Sequence, residues 1–297
     1  MNLGRLNGKV YAVPEAVDVS SLFYNKDLFR RAGLNPNKPP TTMAQIAADA
    51  KKITALGHGI SGYYFSGSCA GCNAFTFLPM IWASGGDVLS KDQKSATFNS
   101  AVVRNALNVY QQMWKDGSIP KAAKTDSGAH FVDLFESGKI GMQGIGAFAI
   151  AIYKHDHPNF NFGVAPLPGL HGGRSAFVGG DMMGIPSGSK NVDAAWSFIS
   201  FALSADTQLN SVAKAGELVV RTDLANNIYS RKDPRILLSN QLVGIGRVPK
   251  VVAYNQIFND ANGPWLAMVR KAVFGGDTAG AVSAAQKQVS GLLKSSG

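Results

Sequence analysis

The sequence predicts an α/β fold, and three observations support this prediction. Amphipathic helical stretches alternate with short β-rich runs along the 297 residues. Glycine-containing and proline-containing turns separate these stretches, and no internal repeat or low-complexity linker interrupts the order. The composition, with 45% hydrophobic and 16% charged residues, is that of a globular chain long enough for one large domain or two ordinary ones. We therefore expect helices layered on a sheet.

The first predicted elements are two strands and a short helix. Residues 11–13 form an apolar run closed by Pro14, and residues 19–24 form a second β-rich run. Asn25 then caps a brief helix that ends at Gly33. This opening has the pattern of a crossing between two structural blocks.

Four longer helices are predicted from apolar residues spaced three and four positions apart. Thr41 or Thr42 caps the first, residues 101–115 form the second, Asn191 caps the third, and the fourth covers about 278–293. The predicted apolar face of the third helix consists of Val192, Ala195, Trp196, Ile199 and Leu203. The β-like pieces between the helices are residues 140–143, 162–165, 177–180 and 182–185.

The charge pattern disfavours nucleic-acid binding. Lys and Arg total 29 against 19 Asp and Glu, giving a net charge of +10. The basic residues never occur in runs longer than two, and no nucleic-acid-binding motif accompanies them. The excess instead favours an anionic envelope or ligand.

The two cysteines, Cys69 and Cys72, have the spacing of a redox site or half of a metal site. Loop-forming residues surround them, which argues against a thioredoxin-like helix start, and a second Cys pair for zinc is missing from the sequence. A short-range disulfide and two free thiols both remain open. Oxidation would indicate an extracytoplasmic compartment.

Other motifs for chemistry are weak. The pair His155 and His157 offers too few ligands for a metal, and GMQGIG at 141–146 has the wrong glycine order for a dinucleotide site. We predict a tight turn at GMQGIG and no cofactor or metal. Asp18 and Asp181, near predicted strand ends, could in principle form the acid and nucleophile pair of a glycosidase. The residues around them do not mark either as a proton donor.

Aromatic residues beside glycines suggest a sugar pocket, because aromatic faces stack on the C–H faces of sugar rings. These residues are Phe75, Phe77, Trp82, Phe148 and Trp265.

Several segments, read in order, resemble one known family. They are GKVYAVPEAVDVSSLFYNKDLFRRAGL, PPTTMAQIAADAKKIT, LPMIWASGGDVL, FESGKIGMQGIGAFA, FNFGVAPLPG, FVGGDMMGIPSGSKNVDAAWSFISFALS and DPRI. From about Gly4 to about Leu293 the chain resembles the sugar-binding proteins of bacterial ABC importers, which are extracellular solute-binding proteins of the maltose-binding type.

The resemblance implies the two-lobe, type II periplasmic-binding-protein-like fold. In that fold the chain crosses a hinge several times, and the ligand lies between the lobes. The implied crossings are residues 16–21, 179–183 and about 229–235. Lobe 2 would comprise 18–180 and 230–297, and an incomplete lobe 1 would comprise 1–17 and 181–229.

The family's location is periplasmic or extracellular and membrane-associated, whereas the first twenty residues here lack a signal-peptide pattern. Taken literally, this beginning would leave the chain in the cytoplasm. The incomplete lobe 1 that the resemblance implies has two explanations, a start codon assigned too late and a truncated gene, and the missing signal pattern fits the first.

The resemblance also implies a site that binds a ligand without catalysing a reaction. Asp18 would accept sugar hydroxyls, Phe75 and Phe148 would stack on the ring, and Gly179 and Gly180 would offer backbone N–H groups. The remaining implied contacts are Asp181, Arg221 and Trp265. Phe148 departs from the family, which usually has Trp there.

The function implied is capture of a mono-, di- or oligosaccharide and its delivery to ABC permease subunits in the membrane. The protein would be a monomer, not an enzyme, and would not bind nucleic acid. Three alternatives are an anionic glycerol phosphoester as ligand, a glycosidase using Asp18 and Asp181, and a truncated remnant that binds nothing.

Overall fold

The computed structural model describes residues 4–6 and 8–296. The strands are β1 Arg5–Leu6, β2 Lys9–Val10, β3 Val13–Pro14, β4 Asp18–Asn25, β5 Ser61–Tyr64, β6 Ile140–Gly146, β7 Phe162–Ala165, β8 Leu167–Gly169, β9 Gly172–Ser175, β10 Val178–Gly179 and β11 Met182–Met183. The α-helices are α1 Lys26–Arg31, α2 Met43–Thr54, α3 Ala70–Ala83, α4 Ala101–Lys115, α5 Asp133–Glu136, α6 Ala149–Asp156, α7 Val192–Ala202, α8 Ala205–Thr207, α9 Pro234–Val243, α10 Pro264–Val273 and α11 Thr278–Ser296. Shorter helical turns are 3₁₀ segments at Lys121–Lys124, Thr222–Leu224 and Ser230–Lys232, and π-helical segments at Gln208–Ala213 and Asn255–Asn259.

Strand β4 lies inside a five-stranded sheet. It pairs antiparallel with β6 on one side and with both β7 and β10 on the other, and β5 joins β6 in parallel. Helices α3 and α9 contact β4, and α2 packs on β5. Because helices cover the sheet, β4 is buried from Val19 to Asn25.

The core of this sheet is rich in aromatic rings. Phe23 of β4 stacks on Phe162 with centroids 5.7 Å apart and meets Phe135 and Tyr153 edge-on. All four rings are buried. Such packing stabilises the sheet and holds β4 rigidly, so that the start of β4 is a fixed platform.

The predicted helix starts are confirmed where a side chain caps the helix. Asn25 Oδ1 accepts hydrogen bonds from the N–H groups of Asp27 and Leu28, both at 3.0 Å. Thr42 Oγ1 accepts one from Gln45 N at 3.1 Å and begins α2. These bonds satisfy backbone donors that have no partner within the helix.

Helix α7 occurs where predicted, but two details of the prediction are wrong. The Asn191 side chain makes no capping hydrogen bond. Of the α7 residues, all of which the structure describes, only Ile199 is buried, whereas Trp196 is 58% exposed. Periodicity identifies an apolar face, but it does not ensure that another element covers that face.

Two local predictions are also corrected. GMQGIG at 141–146 is not a tight turn but the buried strand β6, because its glycines let neighbouring groups approach the strand closely. Cys69 and Cys72 do begin a helix: Cys69 is the residue before α3, and its Sγ accepts a hydrogen bond from Cys72 N at 3.2 Å. The two cysteines form a disulfide, with Cα atoms 5.3 Å apart.

In the part of the chain that the structure describes, none of the helices has the length and apolar character needed to cross a bilayer.

Candidate functional site

Two chain segments lie side by side where β4 begins. The chain passes from β3 through residues 15–17 into β4, and it returns from β10 through Gly180 and Asp181 into β11. Glu15 N donates to Asp181 O at 2.9 Å, and Asp181 N donates to Ala16 O at 3.1 Å. Gly180 has a φ of +128°, and a side chain there would collide with the main chain of Ala16. A glycine is therefore required for the two crossings to pair.

Asp18 lies at the first position of β4, directly opposite Gly179 of β10. Its Oδ1 accepts a hydrogen bond from Phe148 N at 3.2 Å. Burial raises the pKa of Asp18 to about 6, although backbone N–H donors from Val19, Phe148 and Ala147 act in the opposite direction. The carboxylate is thus ionised at neutral pH in a largely buried position.

Space for this carboxylate comes from the end of β6. A Cβ at Gly146 would collide with Asp18 Oδ2 and would approach the ring of Phe148 at 2.5 Å. Glycine leaves room for both groups, so the Asp18 carboxylate and the Phe148 ring share one corner. Phe148 is half-buried and precedes helix α6.

A second aromatic wall stands beside Gly179. Phe75 of α3 has a ring edge that would lie 3.9 Å from a Cβ on Gly179. Its centroid is 5.5 Å from that of Phe177, with the rings inclined at 64°. Phe75 is half-buried. Its position orients an aromatic ring toward the paired start of β4 and end of β10.

A cavity of about 550 Å³ continues from this point. Gly179 and Gly180 line it together with a mostly apolar chain segment. Its lining residues are Arg5, Phe177, Val178, Gly179, Gly180, Val248, Pro249, Lys250, Val251, Val252 and Tyr254.

The predicted residues therefore fall into two groups. The structure brings Asp18, Phe75, Phe148, Gly179 and Gly180 together. The side chains of Trp265, Arg221 and Asp181 are not part of this group.

Trp265 is not at this site. It is fully buried in α10, with its ring packed 5.9 Å from Phe77 and 5.9 Å from Phe258. A ring that is fully buried in the core cannot stack on a ligand in a surface cleft. The prediction that Trp265 contacts the ligand is therefore wrong.

Arg221 and Asp181 also lack the expected placement. The Arg221 guanidinium pairs with Asp223, with Nη2 2.6 Å from Oδ2, and its Nη1 lies 3.5 Å from Leu203 O. Asp181 is exposed and contributes through its backbone. Neither side chain has a contact with Asp18 among the hydrogen bonds and ion pairs of the described residues.

Sequence reasoning missed three residues near the site. The negative charge of the exposed Glu217 makes a small contribution to the raised pKa of Asp18. Phe177 packs against Phe75, and Tyr254 lines the cavity. Glu217 and Tyr254 had no local signal, whereas Phe177 precedes the glycines of the second crossing and could have been recognised.

The histidines considered for a metal have acidic partners instead. His155 Nδ1 lies 2.7 Å from Asp156 Oδ1, and His157 Nε2 lies 3.8 Å from Glu136 Oε2. Within residues 4–6 and 8–296, no group of three His, Cys, Asp or Glu side chains converges as metal ligands would.

Comparison with known proteins assigns the family. A family model for bacterial extracellular solute-binding proteins matches residues 2–209, which is more than half of the chain. The chain belongs to this family. The family resemblance of the sequence is thereby confirmed.

The relatives of this chain include other binding proteins. A Brucella abortus protein described as a candidate binding protein is 30% identical over 225 residues, which is 75% of this chain and 54% of the relative. The maltooligosaccharide ABC transporter solute-binding lipoprotein of Streptococcus pneumoniae is 27% identical over 235 residues, covering 76% and 53%. The chain thus spans about half the length of these relatives.

The fold is similarly assigned. The crystal structure of the cyclic α-maltosyl-1,6-maltose binding protein from Arthrobacter globiformis superposes with a TM-score of 0.82 at 27% identity, covering 99% of this chain and 75% of that one. The α/β, type II periplasmic-binding-protein fold predicted from the sequence is confirmed.

Proposed function

We propose that this chain captures a carbohydrate at the Asp18 corner, as the solute-binding component of an ABC importer outside the cytoplasm, and presents it to membrane permease subunits. The observation that carries the proposal is a largely buried carboxylate between two half-buried aromatic rings and glycine backbone. Sugars bind through hydroxyls to carboxylates and through C–H faces to aromatic rings. The relatives that bind maltooligosaccharides support the same ligand class.

Each residue has a defined role in this proposal. Asp18, ionised above about pH 6, accepts hydrogen bonds from sugar hydroxyls. Phe75 and Phe148 stack on the ring faces, while Gly179 and Gly180 let the ligand approach the backbone. Glu217 adds negative charge near Asp18, which favours neutral polyols over anionic phosphoesters.

The proposed mechanism is binding coupled to closure. We assign residues 18–180 and 230–297 to one lobe, and 1–17 with 181–229 to the other. Ligand at Asp18 contacts both sides of the paired crossings and so stabilises a closed arrangement over an open one. No bond in the ligand is made or broken, because capture requires only differential affinity.

The experiment is calorimetric titration with maltose, N,N′-diacetylchitobiose, lactose and glycerophosphocholine. Charge-assisted hydrogen bonds contribute about 1.5–3 kcal/mol each, so Asp18→Ala should weaken binding of a sugar by roughly tenfold to a few hundredfold. Asp193→Ala, which removes an exposed acid on α7, is the matched control and should leave affinity unchanged. Equal affinity of wild type and Asp18→Ala would refute the site, and binding of glycerophosphocholine alone would refute the ligand class.

A further inference from the structure

We propose that the ligand of this chain carries an apolar group next to its sugar, and that this group binds an apolar shelf formed by Val248, Pro249, Val251, Val252 and Tyr254. The proposal rests on the carbohydrate function proposed above. It adds a chemical class of substituent, aryl or alkyl, at a surface to which no role has been assigned.

The shelf is continuous with the Asp18 corner. Val178 N donates to Arg247 O at 3.0 Å, and Arg247 N donates to Ala176 O at 2.9 Å. These bonds align the chain leading into the shelf with the edge of β10, the strand that pairs with Asp18 through Gly179. Asp18 does not line the cavity of the shelf, but Gly179, its partner across the strand pair, and Gly180 do line it. A group attached to a sugar at Asp18 would therefore pass Gly179 and Gly180 to reach the shelf.

The shelf surface is hydrocarbon. Val252 is 87% exposed, and Val248 and Val251 are partly exposed. Apolar side chains offer no hydrogen bonds, so a second sugar lying on them would lose water from its hydroxyls without replacement. A hydrocarbon or aryl group would instead gain by removing both its own surface and the valines from water.

Polar groups of the cavity are few and lie at its margins. Burial raises the pKa of the Tyr254 phenol to about 12, so its hydroxyl remains a neutral donor. The charged lining residues are Arg5 and Lys250. One neutral phenol beside a valine surface fits an aryl ring with a single polar substituent or a glycosidic oxygen.

The test compares methyl and p-nitrophenyl α-maltoside, and the same pair of β-N,N′-diacetylchitobiosides, by calorimetric titration of the full chain. We expect the aryl glycoside of the sugar that binds to be about tenfold tighter than its methyl glycoside, as burial of an aryl ring on apolar surface implies. Val252→Asp should reduce this gain to less than about twofold while leaving the methyl glycoside within about twofold of wild type. Val192→Asp, an equivalent change at an exposed valine of α7, should preserve the gain.

The outcomes separate this inference from the proposed function. If a methyl glycoside binds and its aryl partner is no tighter, the shelf inference is overturned and carbohydrate capture stands. If p-nitrophenol alone binds as tightly as the aryl glycoside, the shelf is unconnected with a sugar site and the inference is also overturned. If lactose is the sugar that binds, the pair compared is its methyl and p-nitrophenyl β-glycoside. If neither these glycosides nor any sugar of the first titration binds wild type, both proposals are overturned.

Discussion

At the scale of single residues, Asp18 shows how a carboxylate can be held ionised at a cost in free energy. Burial opposes its ionisation, and the backbone donor at Phe148 N, 3.2 Å from Oδ1, only partly compensates. A ligand hydroxyl would supply the missing hydrogen bond. A largely buried carboxylate that can accept further hydrogen bonds is therefore suited to bind an uncharged hydroxyl group.

The raised pKa of Asp18 predicts a pH effect on folding. Its folded pKa of about 6 exceeds the ordinary 3.8, so its contribution to stability is largest below about pH 4 and is lost as pH rises through 6. The Asp18→Asn variant does not lose stability in this way, because an asparagine side chain does not titrate. Its stability relative to wild type should rise between pH 4 and pH 8, by up to about 3 kcal/mol, in urea unfolding. A difference independent of pH would contradict the raised pKa.

Phe148 predicts a loss of ligand affinity without loss of fold. Phe148→Ala removes a half-buried ring beside Asp18, and lost stacking of about 1 kcal/mol or more should weaken sugar binding by about fivefold or more. Phe198→Ala removes an exposed ring from α7 and serves as the control. Calorimetry with the sugar that binds wild type measures both variants. Equal losses would show that the effect is not specific to the corner.

At the scale of elements, helix α3 connects the disulfide to the site. Cys69 and Cys72 lie at its start, and Phe75 follows one turn later. The segment around Gly128 packs against the sulfurs, since a Cβ there would lie 3.2 Å from Cys69 Sγ. The disulfide therefore cross-links the residue before α3 to its first turn, one turn before Phe75, and Gly128 of a neighbouring segment packs against the sulfurs.

Replacing both cysteines with serine tests whether this cross-link matters for binding. Cross-linking over a separation of 3 residues contributes about 2 kcal/mol at most by chain entropy, and Ser at position 69 keeps a capping oxygen. We expect a free energy of unfolding lower by about 1–2 kcal/mol and ligand affinity within about threefold of wild type. Urea unfolding and calorimetry provide the two values. A larger loss of affinity would mean that the disulfide shapes the cleft.

At the scale of the whole molecule, the two halves of the surface differ. The sheet around β4 is enclosed by helices, whereas α7 exposes Trp196, Phe198 and Phe201 at 58%, 62% and 63%. Exposed large apolar groups on one helix promote association or contact with other polypeptides. The paired crossings join the sheet around β4 to the part of the chain that carries α7. The closure proposed above would therefore move the helix-covered sheet relative to the part with exposed apolar side chains.

The exposed face of α7 predicts self-association. Phe198→Glu with Phe201→Lys should lower the fluorescence of bound anilinonaphthalene sulfonate and reduce light scattering at high protein concentration, because two exposed apolar side chains are lost. Ser200→Glu adds a charge on the same helix without removing an apolar group, and it is the control. If this control lowers both signals equally, net charge rather than the apolar face governs association.

The sequence by itself determined the local structure and the family. Asn25 and Thr42 cap helices because their side chains reach N–H groups two or three residues away, and such contacts depend only on nearby residues. Ordered family segments indicated the fold and, through Asp18, Phe148 and Gly179, the residues that the structure brings together.

Only the tertiary structure decided which faces are covered and which distant groups meet. Trp265 looked like a ligand-stacking residue but is a core residue, because Phe77 of α3, Phe258 of a π-helical segment and Phe98 of a turn surround it. Glu217 acts on Asp18 across 199 positions of sequence, and the shelf meets β10 through hydrogen bonds such as Val178 N to Arg247 O. Burial and charge act through space, so neighbours in sequence carry no information about them.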